Sequence, residues 1–215
     1  MSELLFEIGT EELPAGFQEP ALAQLKENFI REAKSLNLEF DSVRCMGTPR
    51  RLALLVEGLA DRQPDSRVEL LGPSKKAGFD ADGHPSKAAM GFARSKGADV
   101  DDLQVVETDK GEYLMLVKES KGAVTAELIP DMLKILMQSF SFAKSMRWGS
   151  CAFTFARPIQ WLLALHDGAV VPFIHEGVTA GNTTRGHRFM APGDIVVSGL
   201  DAYEKVLADA FVLVD

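Results

Sequence analysis

Short apolar runs and longer helical repeats alternate along the chain, and each predicts a different kind of element. Mostly apolar runs at 4–8, 52–56 and 159–166 predict buried strands, because strands covered on both faces read as nearly continuous apolar segments. A turn sequence at 109–111 lies between two further apolar runs and predicts a hairpin. The Asp-Gly pair at 167–168 predicts a second hairpin turn.

Two longer segments carry apolar residues at steps of three and four, which predicts amphipathic helices. The first spans 17–36 and is opened by Pro14, and the second spans 125–140. Pro20 lies inside the first pattern and predicts a break, with the regular helix beginning near it. A last apolar run at 211–214 predicts a strand.

This mixture of helices and adjacent strand pairs favours an α+β fold with mixed, largely antiparallel sheets and packed helices. Residues 1–215 are expected to form one compact unit, with a possible subdomain boundary in a loop predicted at 72–86, which is rich in Gly, Pro, Lys and Asp. Ser86 predicts the cap of a short helix after that loop. The strand in progress at 211–214 indicates a chain truncated at 215.

The charge is unevenly distributed, which changes where a nucleic-acid contact is expected. The net charge is −8, so bulk charge argues against a nucleic-acid-binding protein. Residues 1–43 hold nine acids and three bases, whereas residues 144–191 hold five bases and two acids. An RNA contact is therefore expected in the second region or at Arg50 and Arg51, and the acidic first region suits a protein partner or solvent.

Several functional classes are not favoured by the composition. No apolar run is long enough to span a bilayer, and the first residues lack a basic leader and an apolar signal core, so a cytoplasmic protein is expected. Cys45 and Cys151 are far apart, and His84, His166 and His175 show no ligand spacing, so no metal site is predicted. Neither glycine-rich nucleotide-binding motif is found.

The segment 9–14 runs from a predicted strand into a predicted helix and carries candidate polar groups. Thr10 or the pair Glu11 and Glu12 can cap the free amide groups at the helix start. Alternatively, the two carboxylates bind an arginine of a partner protein or an arginine that binds nucleic acid. A metal site is the third choice, because no histidine or further acid lies at a suitable spacing.

Arg50 and Arg51 follow a proline and begin a predicted strand. Neighbours on a strand point to opposite faces, so only one of them can reach a given partner. A guanidinium suits phosphate because its planar fork donates two parallel hydrogen bonds. An RNA contact and a purely structural role, with one internal salt bridge and one solvated side chain, are equally compatible with the sequence.

Two further basic motifs are candidates for contact with RNA or with a partner. Lys144 and Arg147 stand beside Trp148, which suits phosphate contact with base stacking, but also a helix end with Trp148 in the core. The structural role of Trp148 is the favoured one. In the second motif, surrounding a glycine, three phosphate-binding groups lie within four residues: Arg185, His187 and Arg188. No catalytic residue is predicted, because no nucleophile with a supporting acid is identified near the histidine.

Five blocks of this sequence, in order, carry a resemblance to a known family. The blocks are ELLFEIGTEELPA at 3–15, TPRRLA at 48–53, GFARS at 91–95, KSMRWG at 144–149 and TRGHRF at 184–189. The chain resembles the amino-terminal part of the bacterial glycyl-tRNA synthetase beta subunit over essentially its whole length. Family members are roughly three times longer, which again indicates a fragment.

The resemblance implies a function in protein biosynthesis as part of an aminoacyl-tRNA synthetase. The family forms a cytoplasmic complex of two alpha and two beta chains that joins glycine to its tRNA, using ATP and magnesium. Catalysis belongs to the alpha chain, so this fragment is expected to be inactive alone and to hold no cofactor. Its implied partners are the alpha subunit and tRNA for glycine, with no DNA and no membrane.

Two other functions remain open at this point. The chain can be an assembly module without RNA contact, whose acidic first region docks on the alpha chain. It can also be an editing-like hydrolase, in which His187 or the carboxylates Glu7, Glu11 and Glu12 activate water. Co-elution of the fragment with the alpha chain would distinguish the first function from RNA contact. Hydrolysis of mischarged tRNA by the isolated fragment, which is not expected, would support the second.

Overall fold

The structure is a computed structural model that describes residues 1–80, 83–150 and 152–214. The chain divides into two compact units. The first comprises Met1–Gln63 and Ala123–Asp215, and the second comprises Pro64–Gly122. The segment 72–86, where a possible boundary was predicted, lies inside the second unit.

Helices and strands alternate irregularly, and most strand pairs are antiparallel, so the predicted α+β class is confirmed. The helices are α1 (Ala15–Ser35), α2 (Lys75–Gly78), α3 (Lys87–Ser95), α4 (Thr125–Gln138) and α5 (Leu200–Asp209). The strands are β1 (Ser2–Thr10), β2 (Ser42–Thr48), β3 (Arg51–Leu59), β4 (Ser66–Ser74), β5 (Leu103–Thr108), β6 (Gly111–Ser120), β7 (Ile159–His166), β8 (Ala169–Val170), β9 (Ile174–His175), β10 (Val178–Gly181), β11 (Thr183–Arg185) and β12 (Asp194–Val196).

The first unit is built on a sheet with the strand order β2-β3-β1-β7-β10-β9, with β8 paired to β7. Strand β1 lies between β3 and β7 and is antiparallel to both, so that Glu7 stands opposite Ala53 and Leu163. The apolar runs that predicted buried strands form these three central strands. The predicted turn at Asp167 and Gly168 joins β7 to the short β8, with both residues at positive φ.

One face of this sheet is covered by α1 and α4 and is apolar throughout. Leu4, Phe6 and Ile8 alternate along β1 toward this face, where they pack with Leu25 of α1 and Leu133 of α4. All five are fully buried. This packing accounts for the three- and four-residue spacing that predicted both helices.

The predicted break at Pro20 is wrong, since α1 runs without interruption from Ala15, directly after Pro14. Proline removes one backbone hydrogen bond close to the start of the helix. The buried residues that follow, Ala21, Leu25 and Phe29, anchor the next turns against the sheet. Tertiary packing therefore outweighs the local cost of the proline.

The other face of the sheet packs against α5 and has a smaller apolar cluster. Leu5, Leu55 and Leu163 point to this face and meet Tyr203 and Leu207 of α5. Because side chains alternate between faces, Glu7 of β1 shares this face with Leu5. A charged side chain is thus placed at the centre of the sheet.

The end of α5 corrects another prediction, the strand at 211–214. These residues form a turn and an irregular segment, in which the amide of Val212 donates to the carbonyl of Leu207 at 2.9 Å. Phe211 adopts a φ of 59°. The apolar run here closes the helix instead of extending a sheet.

The second unit consists of an antiparallel sheet, β4-β6-β5, with α3 beside it. Ala89 and Ala93 of α3 are buried, as are Leu114 and Leu116 of β6. The hairpin predicted at 109–111 joins β5 to β6.

In the second unit, the sequence predicted the helix cap at Ser86 correctly and the loop at 72–86 only in part. The predicted cap is confirmed, because the Ser86 hydroxyl accepts from the amides of Ala88 at 3.1 Å and Ala89 at 3.4 Å. The segment 72–86 is not loop throughout, because it contains the end of β4 and all of α2.

Candidate functional site

Glu7 is the centre of a buried polar cluster on the α5 face of the sheet. Its side chain is fully buried, and four side chains from four other elements donate to it. The indole of Trp161 and the hydroxyl of Thr184, at 2.6 Å, donate to Oε1. The hydroxyl of Tyr203 and the Nη1 atom of Arg51, at 3.4 Å, donate to Oε2. We call these five residues the Glu7 network.

The network compensates the cost of burying two opposite charges. Removing an ion from water costs several kcal/mol, and only close pairing and further hydrogen bonds offset it. Arg51 is 2 % exposed and supplies the balancing charge. Burial, reinforced by the charge of Glu7, raises the pKa of Tyr203 well above its usual value, so its hydroxyl remains a donor.

Arg51 also holds the short strand β11 against the sheet. Its Nη1 atom donates to the hydroxyl of Thr184 at 2.9 Å, and its Nη2 atom donates to the backbone carbonyl of Arg185. The Thr184 hydroxyl therefore accepts from Arg51 while it donates to Glu7. One buried guanidinium links the central strands to the segment that carries the most basic sequence motif.

Trp161 forms an aromatic platform for three guanidinium groups. The carbon centres of the Arg50, Arg51 and Arg185 guanidiniums lie 5.7, 5.6 and 5.1 Å from the indole ring, within the range of cation–π attraction. Gly9 lies against the same ring, where a Cβ atom would come within 2.0 Å of its carbon atoms. A glycine is therefore required at this position, because any side chain would displace the indole.

Arg50, Arg185 and Arg188 together form the solvent-facing rim of this site, which we call the arginine edge. Arg188 contacts Glu11 at 3.1 Å and Glu12 at 3.7 Å. Arg185 pairs with Asp194 at 3.1 Å. These are partly exposed pairs, which contribute little to stability.

Arg50 differs from the other two arginines of the edge. It forms no salt bridge with any residue that the structure describes, and its buried Nε atom has no hydrogen-bond partner among them. Partial burial, followed by the nearby charge of Arg188, lowers the pKa of Arg50. Arg50 is therefore the member of the edge with the least compensated charge.

A cleft of about 470 Å³ opens beside the arginine edge. Its walls come from segments 48–51, 186–189 and 211–213, together with Glu12. Phe189 is 81 % exposed at its mouth, and the neighbouring Met190 is 59 % exposed. The site thus combines paired charges, an arginine without a salt bridge to any described residue, and exposed apolar side chains.

The sequence places this site within a known family. A family model described as "Glycyl-tRNA synthetase beta subunit" matches residues 4–215. The chain belongs to the glycyl-tRNA synthetase beta-subunit family. The resemblance found in the five sequence blocks is confirmed by this match.

Relatives named "Glycine--tRNA ligase beta subunit" align with almost all of the chain. The one from Trichlorobacter lovleyi is 50% identical over 99% of this chain, and the one from Syntrophotalea carbinolica is 49% identical over 100%. The relative from Moorella thermoacetica is 46% identical over 99%. The chain spans 31% of the length of each of these three glycyl-tRNA synthetase beta subunits.

The arginine pair predicted as a tRNA or partner contact divides into two roles. Arg50 lies on the arginine edge, but Arg51 is buried and paired with Glu7, so it is withdrawn as a surface contact. The two side chains diverge because they lie at successive positions where β3 begins. The structural reading, with one internal salt bridge, is correct for Arg51.

The predicted helix cap at the beginning of α1 is wrong. The helix begins at Ala15 with no side-chain cap and no acid in its first turn. Thr10 is buried with its hydroxyl unpaired among the described residues, and its amide donates to the Arg50 carbonyl at 2.8 Å. The helix starts too far along the chain for this threonine, and Glu11 and Glu12 instead reach Arg188.

His187 supports the turn that carries Phe189. Its Nδ1 atom accepts from the amides of Phe189 at 3.3 Å and Met190 at 3.2 Å. Gly186 is buried, and a Cβ atom there would lie 2.9 Å from the carbonyl of Ala191. The segment around this glycine is therefore tightly packed.

Lys144 and Arg147 lie apart from the arginine edge. Both are exposed in the segment after α4, and this segment packs through Trp148 against the apolar cluster of the α1–α4 face. Trp148 meets the ring of Phe153 at 6.1 Å. The favoured structural role of Trp148 is confirmed, and the predicted basic residues fall into two separate groups.

Sequence reasoning missed the Glu7 network. Glu7 was considered only as a general base, and neither Trp161 nor Tyr203 was considered as its partner. The available signal was a glutamate in the middle of an apolar run predicted to be a central strand. A buried charge needs a partner, but the sequence does not say which arginine supplies it.

Two wider features of the described residues concern membranes and metals. No helix in the described part of the chain is both long and apolar enough to cross a membrane. Within residues 1–80, 83–150 and 152–214, no three His, Cys, Asp or Glu side chains are grouped so as to hold a metal ion.

Proposed function

We propose that this chain is a non-catalytic part of a glycine–tRNA ligase and serves assembly with the catalytic alpha subunit. Membership of the beta-subunit family and the names of the relatives support the part played in the ligase. The observation that carries the assembly role is the exposed pair Phe189 and Met190 beside a cleft rimmed by paired charges.

The composition of this surface is that of a protein interface. Aromatic, methionine and arginine side chains are enriched at such interfaces, and exposed aromatic anchors supply much of the binding energy. The charges of Arg185 and Arg188 are already balanced by Asp194, Glu11 and Glu12. A phosphate backbone, in contrast, is bound mainly by uncompensated cations.

The assembly role is tested by measuring the affinity of the alpha subunit for beta-chain variants. Phe189→Ala combined with Met190→Ala is expected to weaken binding by about thirtyfold, since losing an interface anchor costs on the order of 2 kcal/mol. The matched control combines Ile135→Ala with Ile174→Ala, which removes exposed apolar side chains outside the cleft. Equal affinity of the two variants would remove the assembly role of the cleft.

A second candidate, contact with tRNA, is favoured by one specific feature. Arg50 makes no salt bridge to the described residues and lies near two further guanidiniums. A phosphate at this point would offset the partial burial and, after it, the repulsion from Arg188 that together lower the pKa of Arg50. The candidate contacts are Arg50, Arg185 and Arg188, with Lys144 and Arg147 as a separate group.

The tRNA contact is tested through its salt dependence. Replacing both Arg185 and Arg188 by alanine is expected to weaken tRNA binding by the complete ligase and to lower the slope of log affinity against log salt by about two. The control replaces Arg31 and Arg44, which are exposed and each paired with one glutamate. An unchanged slope would leave assembly as the role of these residues.

The remaining chemistry belongs to the complex as a whole. A ligase of two alpha and two beta chains in the cytoplasm, with ATP and magnesium at the alpha chain, is the setting in which this chain would act. The hydrolase reading needs a carboxylate free to activate water. Glu7 is instead fully buried and saturated with donors, and Glu11 and Glu12 contact Arg188.

A further inference from the structure

The arginine edge depends on a residue that no solvent or partner can reach. Glu7 is fully buried on β1, yet its donors come from β3, β7, β11 and α5. Two of these donors, Trp161 and Arg51, in turn contact the residues of the edge. The carboxylate is thus the common acceptor behind two of the three arginines of the edge, Arg50 and Arg185.

We propose that Glu7 is a positioning residue, which sets the orientation of Arg185 and of the 186–190 segment for the partner that binds there. This role rests on the proposed function, because it presumes that the edge and the adjoining cleft meet a partner. It concerns pre-organisation of a surface: a side chain and a loop held in the bound orientation lose less entropy on binding.

The first route from Glu7 to the surface runs through the indole of Trp161. The hydrogen bond from the indole to Oε1 fixes the rotation of the ring, and Gly9 lets the ring lie flat against β1. The guanidinium carbons of Arg50 and Arg185 lie 5.7 and 5.1 Å from the centre of the same ring. A tilted indole would no longer support either cation.

The second route runs through Arg51 and Thr184. Glu7 neutralises the Arg51 guanidinium, and that guanidinium donates to the Thr184 hydroxyl and to the Arg185 carbonyl. The Thr184 hydroxyl in turn donates to Oε1 of Glu7 at 2.6 Å, so the three side chains are hydrogen-bonded to one another. The backbone of β11 is therefore bound from its buried side immediately before the turn that presents Phe189.

Thr184 offers a matched pair of variants, because it is fully buried and contacts no solvent. Thr184→Val preserves its shape and removes the hydroxyl, whereas Thr184→Ser preserves the hydroxyl. Each is introduced into the complete ligase, where amide hydrogen exchange at 183–190 and the affinity of the alpha subunit are measured. Thr184→Val is expected to speed exchange and to weaken alpha binding, each by about tenfold, and Thr184→Ser is expected to restore both.

A variant elsewhere in the network separates positioning from mere stability. Tyr203→Phe removes a donor to Oε2 and leaves both donors to Oε1 in place. It is expected to lower the melting temperature about as much as Thr184→Val, with exchange at 183–190 changed by less than about twofold. If amide exchange at 183–190 rises in both variants in proportion to the loss of melting temperature, the network is purely structural and the proposal is overturned.

The outcomes also separate this proposal from the assembly role. Unchanged exchange in Thr184→Val overturns the positioning role whatever happens to binding. Faster exchange with normal alpha affinity overturns it too, if Phe189→Ala with Met190→Ala weakens binding. If the double variant also binds the alpha subunit with normal affinity, faster exchange in Thr184→Val still supports the positioning of the segment. The assembly role is then the proposal that fails.

If Thr184→Val does not yield a folded complex, Trp161→Phe takes its place. This change removes the indole donor and keeps an aromatic ring near Gly9. Like Thr184→Val, it is expected to speed amide exchange at 183–190 and to weaken binding of the alpha subunit. Normal values of both in a folded Trp161→Phe complex would overturn the proposal.

Discussion

The two faces of the central sheet are built on different physical principles. The face covered by α1 and α4 is a continuous apolar core, whereas the face covered by α5 interrupts its apolar cluster with the Glu7 network. A buried ion pair seldom improves stability over apolar residues of the same size. The first face therefore explains why the chain folds, and the second explains how a particular surface is held in place.

The largest expected effect tests whether the charges on the second face form one unit. Glu7→Leu leaves the guanidinium of Arg51 buried without a counter-charge and is expected to destabilise the fold by about 4 kcal/mol. Arg51→Met leaves the carboxylate in the same state. Combining both changes is expected to cost less than either alone, as measured by denaturant unfolding in a double-mutant cycle.

Additivity of those two changes would contradict this picture. Two independent sites would give a double variant whose loss equals the sum of the single losses. The matched control is the cycle of Arg44→Met and Glu204→Leu, which form an exposed pair at 3.0 Å. The coupling energy between these two changes is expected to be only about a few tenths of a kcal/mol.

The next effect measures the apolar face. Leu25→Ala on α1 removes a fully buried side chain and is expected to cost about 3 kcal/mol, because a cavity is left between the helix and the sheet. Amide exchange at 183–190 is expected to remain normal below the unfolding transition. A selective increase there would show that the two faces are not separable.

The smallest effect is a pH dependence that belongs to the second face. The pKa of Tyr203 is higher in the folded chain than the value of 10.0 for a free tyrosine, chiefly through burial and then through Glu7. Its stabilising contribution is therefore complete below about pH 10 and declines as the pH rises toward the folded pKa. Tyr203→Phe removes this titrating group, so the slope of the unfolding free energy against pH is expected to become shallower by about 1.4 kcal/mol per pH unit, the value for one proton.

Unfolding free energies measured between pH 9 and 11 check this expectation. Cys45 also affects stability in this window, because burial raises the pKa of its thiol from 9.0 to about 12, so both chains are compared in a Cys45→Ala background. Parallel pH profiles for the two chains would mean that Tyr203 does not feel the buried carboxylate.

Much of the scaffold was predictable from apolar spacing alone. The runs that form β1, β3 and β7 and the repeats that form α1 and α4 are long and strongly patterned, and these elements are found where they were predicted. Shorter signals were less dependable. Pro20 does not break its helix, and the run at 211–214 forms no strand, because packing and helix termination outweigh local preference there.

The candidate site was predictable only in part. The motif with Arg185 and Arg188 lies at the site as a surface element, but nothing local indicated which arginine of the pair 50–51 is buried or that Lys144 belongs elsewhere. The network joins residues separated by up to 196 positions, from Glu7 to Tyr203. Such pairings depend on strand order and register, which short-range patterns do not contain.

The order of residues along the chain was enough to establish the family, the α+β class and the central strands, because each is written in local motifs and periodicity. Tertiary structure alone decided which charges are paired. A glutamate and an arginine 44 positions apart become partners only when β1 and β3 align, and their pairing draws a threonine 133 positions beyond the arginine into the same buried cluster. Electrostatic energy depends on distance and burial, and both are properties of the folded chain.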